Sequence, residues 1–276
     1  MNITSPSSNN SVFTITSDST WPSISFQTDA TGPHTWNWKI IWGSFSQSGT
    51  ANTASNQWDA QSAVANYGGT LTVTAQSGDQ TAVAAVKIKG TNPSPNDVTQ
   101  FLASNPNSAG FDKILIQESG CRHFNAVGEP IKSFDNGYGM CQLTKPTPSF
   151  EQVWNWKSNI TGGLSLFATK VSAATNYLSQ AGRSFTQDQL KYESVCRWNG
   201  GSYHEWDNSQ SLWVRHPNIL CDSATGNIGW DMTDTENTGK TEAQLHQRDR
   251  ASYGAAPGSN SHWKYSGVCY ADKVLG

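Results

Sequence analysis

Phe111-Asp112-Lys113-Ile114-Leu115-Ile116-Gln117-Glu118-Ser119, closed by Gly120, is the stretch on which the reading of this chain turns. Its apolar spacing and the terminal glycine predict a short helix. Glu118 lies four residues after Ile114 and three after Leu115, so it falls on their apolar face. Just upstream, Val98, Phe101 and Leu102 keep the same helical spacing. Downstream, Ile160, Leu164, Phe167, Val171, Ala174 and Leu178 trace one long helical stripe. Gln187 to Asn199 reads as another helix, and Thr241-Glu242-Ala243-Gln244-Leu245 opens a further one.

Before residue 93 the period is different. Apolar and polar residues alternate in Ser11-Val12-Phe13-Thr14-Ile15-Thr16, in Trp21-Pro22-Ser23-Ile24-Ser25-Phe26 and in Thr70-Leu71-Thr72-Val73-Thr74. Thr35-Trp36-Asn37-Trp38-Lys39-Ile40-Ile41-Trp42 and the run from Ala82 to Lys89 complete the set. Period two marks half-buried strands, and turn residues separate the runs. The expected fold class is therefore multidomain. An N-terminal all-β immunoglobulin-like sandwich over 1–92 is followed by a mainly α domain over 93–276. The linker is Gly90-Thr91-Asn92-Pro93-Ser94-Pro95. No catalytic constellation stands in 1–92, so its expected role is a spacer or docking module.

The chain has 276 residues, enough for two domains, and 36 % of them are hydrophobic, enough for real cores. Charged residues make up 14 % and the net charge is −3, with no basic stripe, which argues against nucleic acid as a partner. The 12 Trp and 8 Tyr suit sugar faces and cores equally. No run approaches the roughly 18 apolar residues of a membrane span. Met1-Asn2-Ile3-Thr4-Ser5-Pro6 has neither a basic region nor an apolar run, so no Sec-type signal peptide is expected there. If the protein acts outside the cell, either another export route is expected or the chain is a piece of a longer protein. Cys121, Cys141, Cys196, Cys221 and Cys269 include no CxxC pair, so no zinc site is expected. The odd count leaves at least one free thiol; buried reduced thiols and one or two disulfides both remain open.

On the apolar face of its helix Glu118 is poorly solvated, and it sits at the negative end of the helix dipole. Both effects raise a carboxyl pKa. A carboxylic acid kept protonated near neutral pH is what glycosidic cleavage needs for its leaving oxygen. The competing reading is a solvated helix-terminal Glu. Other catalytic templates fail: the chain has no HExxH, no Gly-x-Ser-x-Gly, no P-loop and no GxGxxG. Cys121 and His123 offer a Cys/His peptidase as the rival enzyme class, but no orienting third group accompanies them.

Glu118-Ser119-Gly120 is followed by Asp135-Asn136-Gly137-Tyr138-Gly139-Met140-Cys141-Gln142-Leu143-Thr144. This pair of segments resembles the goose-type lysozyme and soluble lytic transglycosylase superfamily. That family carries Glu-Ser at a helix end and then a Gly-aromatic-Gly-Leu-Met-Gln-like segment. Here Met140-Cys141 stands for Leu-Met. The 24 residues from Glu118 to Gln142 are nearer the goose-type spacing. Asn159-Ile160 with Gly162-Gly163-Leu164 resembles the family's next helix. Cys196-Arg197-Trp198-Asn199-Gly200-Gly201 resembles its Ala-Tyr-Asn-Ala-Gly motif, with Trp198 for Tyr. Cys269-Tyr270-Ala271-Asp272-Lys273-Val274-Leu275 resembles its closing helix. The likeness covers roughly residues 95 to 276, while 207–262 match nothing in it and read as an insertion.

The resemblance implies a lysozyme-like (α+β) domain and a muramidase acting on peptidoglycan glycan strands, with no metal or organic cofactor. Glu118 is then the general acid. Asp135 is the candidate base, and a turn cap is its alternative role. Without a base, the substrate's own hydroxyl attacks and a 1,6-anhydro product results. Ser119, Tyr138, Gly139, Gln142, Trp198, Asn199, Tyr203 and Tyr270 are the expected substrate-binding residues. Gly137 and Gly139 would let the backbone approach the sugar. Glu151 and Glu193 read as solvated helix-surface carboxylates. The chain also resembles the C-terminal muramidase part of type VI secretion effectors. That implies a toxin acting in the periplasm or wall of a target bacterium, with a secretion carrier and an immunity protein as partners. A phage lysin is the alternative source, and a non-catalytic wall-binding protein the alternative class.

Overall fold

A computed structural model describes residues 1–7, 9–105 and 108–276. It is a mixed α and β protein with four sheets and eight α-helices among the described residues. In chain order the first strands are β1 (Ile3–Ser5), β2 (Val12–Ile15), β3 (Ser25–Thr28), β4 (His34–Trp42), β5 (Phe45–Thr53) and β6 (Gln57–Asp59). The short helix α1 (Gln61–Val64) leads to β7 (Gly69–Ser77) and β8 (Gln80–Gly90). Then come α2 (Pro95–Ala103), α3 (Phe111–Ser119), α4 (Phe150–Trp154), α5 (Trp156–Leu178) and α6 (Gln187–Asn199). The chain closes with β9 (His204–Asp207), β10 (Leu212–Arg215), β11 (Ile219–Cys221), β12 (Ile228–Asp231), α7 (Glu242–Asp249), β13 (Lys264–Tyr265) and α8 (Gly267–Leu275).

Two compact units emerge. One comprises residues 1–105 and 118–163; the other comprises 106–117 and 164–276. The division falls inside α3 and α5. It does not coincide with the linker at 90–95, because residues 93–105 and 118–163 share the first unit with the strands.

In the first unit, β2-β8-β7-β4-β5 form a five-stranded sheet and β1-β3-β6 a three-stranded one. Alternation in β4 buries Trp36, Trp38 and Ile40 and leaves Asn37 and Lys39 outside. Trp58 of β6 stacks on Phe26 and on Trp36 of the larger sheet, at centroid distances of 5.9 and 6.1 Å. The same core continues into later residues of the unit. Trp154 sits edge-on to Trp42 and is flanked by Phe124, and Phe150 stacks on Phe45 and Tyr67. Hydrogen bonds reinforce the join: Trp156 Nε1 donates to the Ser17 carbonyl at 2.8 Å, and Lys89 pairs with Glu129 at 2.7 Å. Apolar burial of this kind joins Phe124, Phe150 and Trp154 to the strands in one core.

In the second unit, Phe111, Phe167 and Trp198 form an aromatic cluster with centroids 5.3 to 6.2 Å apart. Helices α6 and α8 pack closely at Gly267. A Cβ there would stand 1.9 Å from the Gly200 carbonyl oxygen, so only glycine fits. Residues 207–262, expected as an insertion, carry strands β10, β11 and β12 and helix α7. A small core of Ile228, Trp230, Leu245 and Trp263 supports them. The bridge Cys221–Cys269 ties β11 to α8, and Cys121, Cys141 and Cys196 take no part in it. No helix among the described residues is long and apolar enough to cross a membrane.

Candidate functional site

Helix α3 delivers Glu118. Ile114 and Leu115 are fully buried, and Glu118 is half-buried one turn on from them. Ser119 closes the helix in a buried position, and the chain turns through Gly120 and Cys121, both at positive φ. The Gly-rich loop is brought to the same place. Burial first, then the Glu118 carboxylate, then Cys121, push the Cys141 thiol well above its ordinary range. Glu118 and the loop that carries Cys141 are therefore electrostatic neighbours within the first unit.

Two buried side chains hold that loop. Asn159, at the start of α5, accepts from the Cys141 N–H at 2.9 Å and donates to the carbonyls of Tyr138 and Gln152, each at 3.1 Å. His123 accepts from the Met140 N–H through Nδ1 at 3.2 Å, so its Nε2–H donates to the Val153 carbonyl at 2.9 Å. Both are completely buried. Gly139 explains itself here: its φ is +69°, and a Cβ would meet His123 Cε1 at 2.5 Å and Asn159 Nδ2 at 2.7 Å. Its smallness serves packing against these two residues. Neither His123 nor Asn159 stood among the expected site residues. The sequence points to Asn159 only within the segment Asn159-Ile160, and to His123 only as half of a Cys/His pair. Its two ring nitrogens both serve the backbone instead.

Burial lowers the His123 pKa to about 4 from 6.5, opposed by its bond to the Val153 carbonyl. The linkage sign follows. Between pH 6.5 and 4 the unfolded chain takes up a proton that the folded one refuses. Stability is complete above pH 6.5 and falls as pH drops toward 4, by roughly 3 kcal/mol for this group. Urea midpoints measured from pH 7 to 4 are expected to fall more steeply in the wild type than in His123→Gln. Parallel curves would remove His123 as the acid-sensitive element.

The remaining expected residues of the first unit take mostly structural places. Tyr138 is buried, edge-on to Trp42 and Phe45, with Lys132 over its ring. A ring packed in this way is not available for stacking on a sugar. Gln142, at φ +49°, turns its Nε2 back onto the Gly139 carbonyl at 2.7 Å. Asp135 is exposed on a turn, where it accepts a hydrogen bond from the Ser133 hydroxyl; the same hydroxyl receives the Gly137 N–H at 2.8 Å. Beside it Phe134 is wholly exposed. Glu151 is half-buried and accepts from the Ser158 hydroxyl at 2.8 Å.

Trp198, Asn199, Tyr203 and Tyr270 all lie in the second unit. Trp198 belongs to the aromatic cluster around Phe111, and Tyr270 is buried in α8. The Tyr203 hydroxyl donates to Asp272 at 2.7 Å, and burial with that carboxylate pushes its pKa up. Asn199 is exposed at the end of α6, on the rim of a cleft of about 470 Å³.

The surface position expected for Glu193 is overturned: its side chain is 0 % exposed. It accepts from the Tyr203 and His204 N–H groups, each at 3.0 Å, and from His204 Nδ1 at 3.1 Å, and it pairs with Arg197 at 2.8 Å. Helical spacing could reveal only Arg197, because the other donors come from Tyr203 and His204, beyond the helix end. Comparison with protein-family models and with the sequences of curated proteins finds no match for this chain.

Proposed function

We propose that this chain is a muramidase that hydrolyses the β-1,4 bond between N-acetylmuramic acid and N-acetylglucosamine in peptidoglycan, with Glu118 as general acid. One observation carries the reading. A half-buried carboxylate at a helix end stands beside a Gly-rich loop that buried hydrogen bonds fix in place. Preorganised surroundings of that kind hold an acid against a leaving oxygen. In this reading residues 1–92 are an immunoglobulin-like accessory part and 93–276 a lysozyme-like part. Action in the periplasm or wall of a target bacterium, after delivery as an antibacterial toxin, belongs to the same proposal.

A second reading has its own support. Asp135 is exposed and engaged by Ser133, as a turn residue is. If Asp135 is no base, the substrate's hydroxyl attacks and the enzyme is a lytic transglycosylase. Mass spectrometry of digested peptidoglycan separates the two. Reducing-end muropeptides that disappear in Asp135→Asn are expected of the hydrolase. Anhydro-muropeptides that persist in Asp135→Asn establish the transglycosylase. Protein that sediments with the wall and solubilises nothing refutes both, and leaves a binding protein.

A further inference from the structure

Residues 122–139 of the first unit form an irregular antiparallel meander that begins just after Glu118 and the end of α3. Its first pass meets the second where the Ile131 N–H donates to the His123 carbonyl at 2.9 Å and the Asn125 N–H to the Glu129 carbonyl at 2.8 Å. The second meets the third where the Gly139 N–H donates to the Ile131 carbonyl and the Ser133 N–H to the Gly137 carbonyl, each at 2.9 Å. Successive reversals of such a meander fall at opposite ends. The reversal at Ala126-Val127-Gly128 is tied down: the Gly128 carbonyl accepts from the Gly90 N–H at 2.8 Å, and Glu129 holds Lys89. The reversal at Phe134-Asp135-Asn136 falls at the other end, where the chain enters from α3. Arg122 Nε donates to the Ser119 carbonyl at 3.4 Å, so that entrance lies against the residue next to Glu118. Glu118 and Phe134 therefore belong to the same end of the meander.

Phe134 has no task in the turn that carries it. The Asn136 N–H donates to the Ser133 carbonyl at 3.2 Å and closes the turn, with Asn136 at a φ of +65°. The Ser133 hydroxyl donates to Asp135 and accepts from the Gly137 N–H at 2.8 Å. Backbone and polar side chains thus complete the reversal, while the Phe134 side chain is 100 % exposed. A large apolar ring on a polar turn leaves its burial free energy unused. Single exposed hydrophobics are common, but this one stands at the end of the meander that receives the candidate acid. Tyr138, the ring expected to meet a sugar, is buried, so Phe134 is the ring that this segment presents. A pyranose suits the surroundings. Its apolar C–H face covers a flat ring, and its hydroxyl and acetamido groups find the carboxyl groups of Asp135 and Glu118 at the same end. A protein or lipid partner would have to desolvate those carboxyl groups without satisfying them.

We propose that Phe134 is the aromatic platform of a sugar subsite, stacking on the apolar face of an N-acetylated hexose in the glycan strand. The identity of the glycan rests on the muramidase reading above. The test titrates soluble peptidoglycan glycan strands, freed of peptide by an amidase, into the full chain carrying Glu118→Gln, so that affinity is read without turnover. In that background Phe134→Ala is expected to weaken binding about five- to tenfold, the worth of one aromatic stack. Phe134→Trp is expected to keep the affinity and Phe134→Leu to lose it as Phe134→Ala does, because stacking needs a flat ring and not apolar area alone. The side chain is exposed, so equal urea midpoints are expected across the series. Undiminished affinity in Phe134→Ala, or Phe134→Leu binding as tightly as Phe134→Trp, overturns the proposal; so does the absence of saturable binding by the parent chain. Cleavage is scored separately, on the chain with Glu118 in place. Glycan binding that needs the ring, in a protein that releases no muropeptides, supports the subsite while sinking the general acid. Muropeptide release with an affinity indifferent to Phe134 does the reverse.

Discussion

Glu118→Gln is expected to lower muropeptide release by roughly 10²–10⁴-fold, the usual contribution of a positioned proton donor. The amide is nearly isosteric and keeps hydrogen-bonding capacity, so the end of α3 should stay folded. What it lacks is a proton that can pass to the departing sugar oxygen. Unchanged far-ultraviolet circular dichroism, together with the lost release of soluble fragments, would separate chemistry from folding. The Cys141 thiol gives a second readout at the same place. The Glu118 charge helps push that thiol up, so removing it should make Cys141 titrate at lower pH. Full muropeptide release by Glu118→Gln would sink the assignment of the acid.

Reduction of the Cys221–Cys269 bridge is the larger effect on stability. The bridge closes a loop of sequence separation 48, for which chain entropy assigns about 4 kcal/mol. It also stands in a dense polar node. Arg215 donates to Asp272 from Nε at 2.9 Å and from Nη2 at 2.6 Å, and Nη2 approaches Cys221 Sγ at 3.2 Å. The Tyr203 hydroxyl reaches the other oxygen of Asp272. The urea midpoint is therefore expected to fall strongly with a thiol reductant, and equally in Cys221→Ser and Cys269→Ser. A midpoint indifferent to reductant would mean that the packing of β11 on α8 holds this region without the bridge.

How much of this was legible depends on the range of the interactions. Helices α3 and α6 were readable because their signals are local, such as the three-to-four spacing and terminal glycine of α3; the structure adds a Thr186 cap on α6 that accepts from the Gln189 N–H. Strands β4, β7 and β8 were readable because each buries alternate residues. Strand β5 was not. Phe45–Thr53 is polar almost throughout and lies at the sheet edge, so only its nine-residue pairing with β4 makes it a strand. The same holds for the strands after residue 206, which short pairings and the Trp230 core define.

At the candidate site the division is similar. Glu118 could be chosen from sequence because helix geometry alone places it with Ile114 and Leu115. The roles of its neighbours could not. Tyr138, Gln142 and Gly139 look like ligand contacts in one dimension; in three they pack, fold back and make room for His123 and Asn159. Glu193 looked solvated until the loop after α6 closed over it.

The sequence by itself determined the periodicities, the two free-standing chemical signals of Glu118 and the Gly-rich segment, and the balance of charge. These depend on neighbours within one or two turns, and the backbone's own geometry supplies them. Only the tertiary structure decided where the units divide, which two of five cysteines pair, and which polar side chains are spent on holding the fold. Those outcomes depend on burial and on donors distant in sequence, and a buried polar group takes its role from whatever partner the fold brings to it.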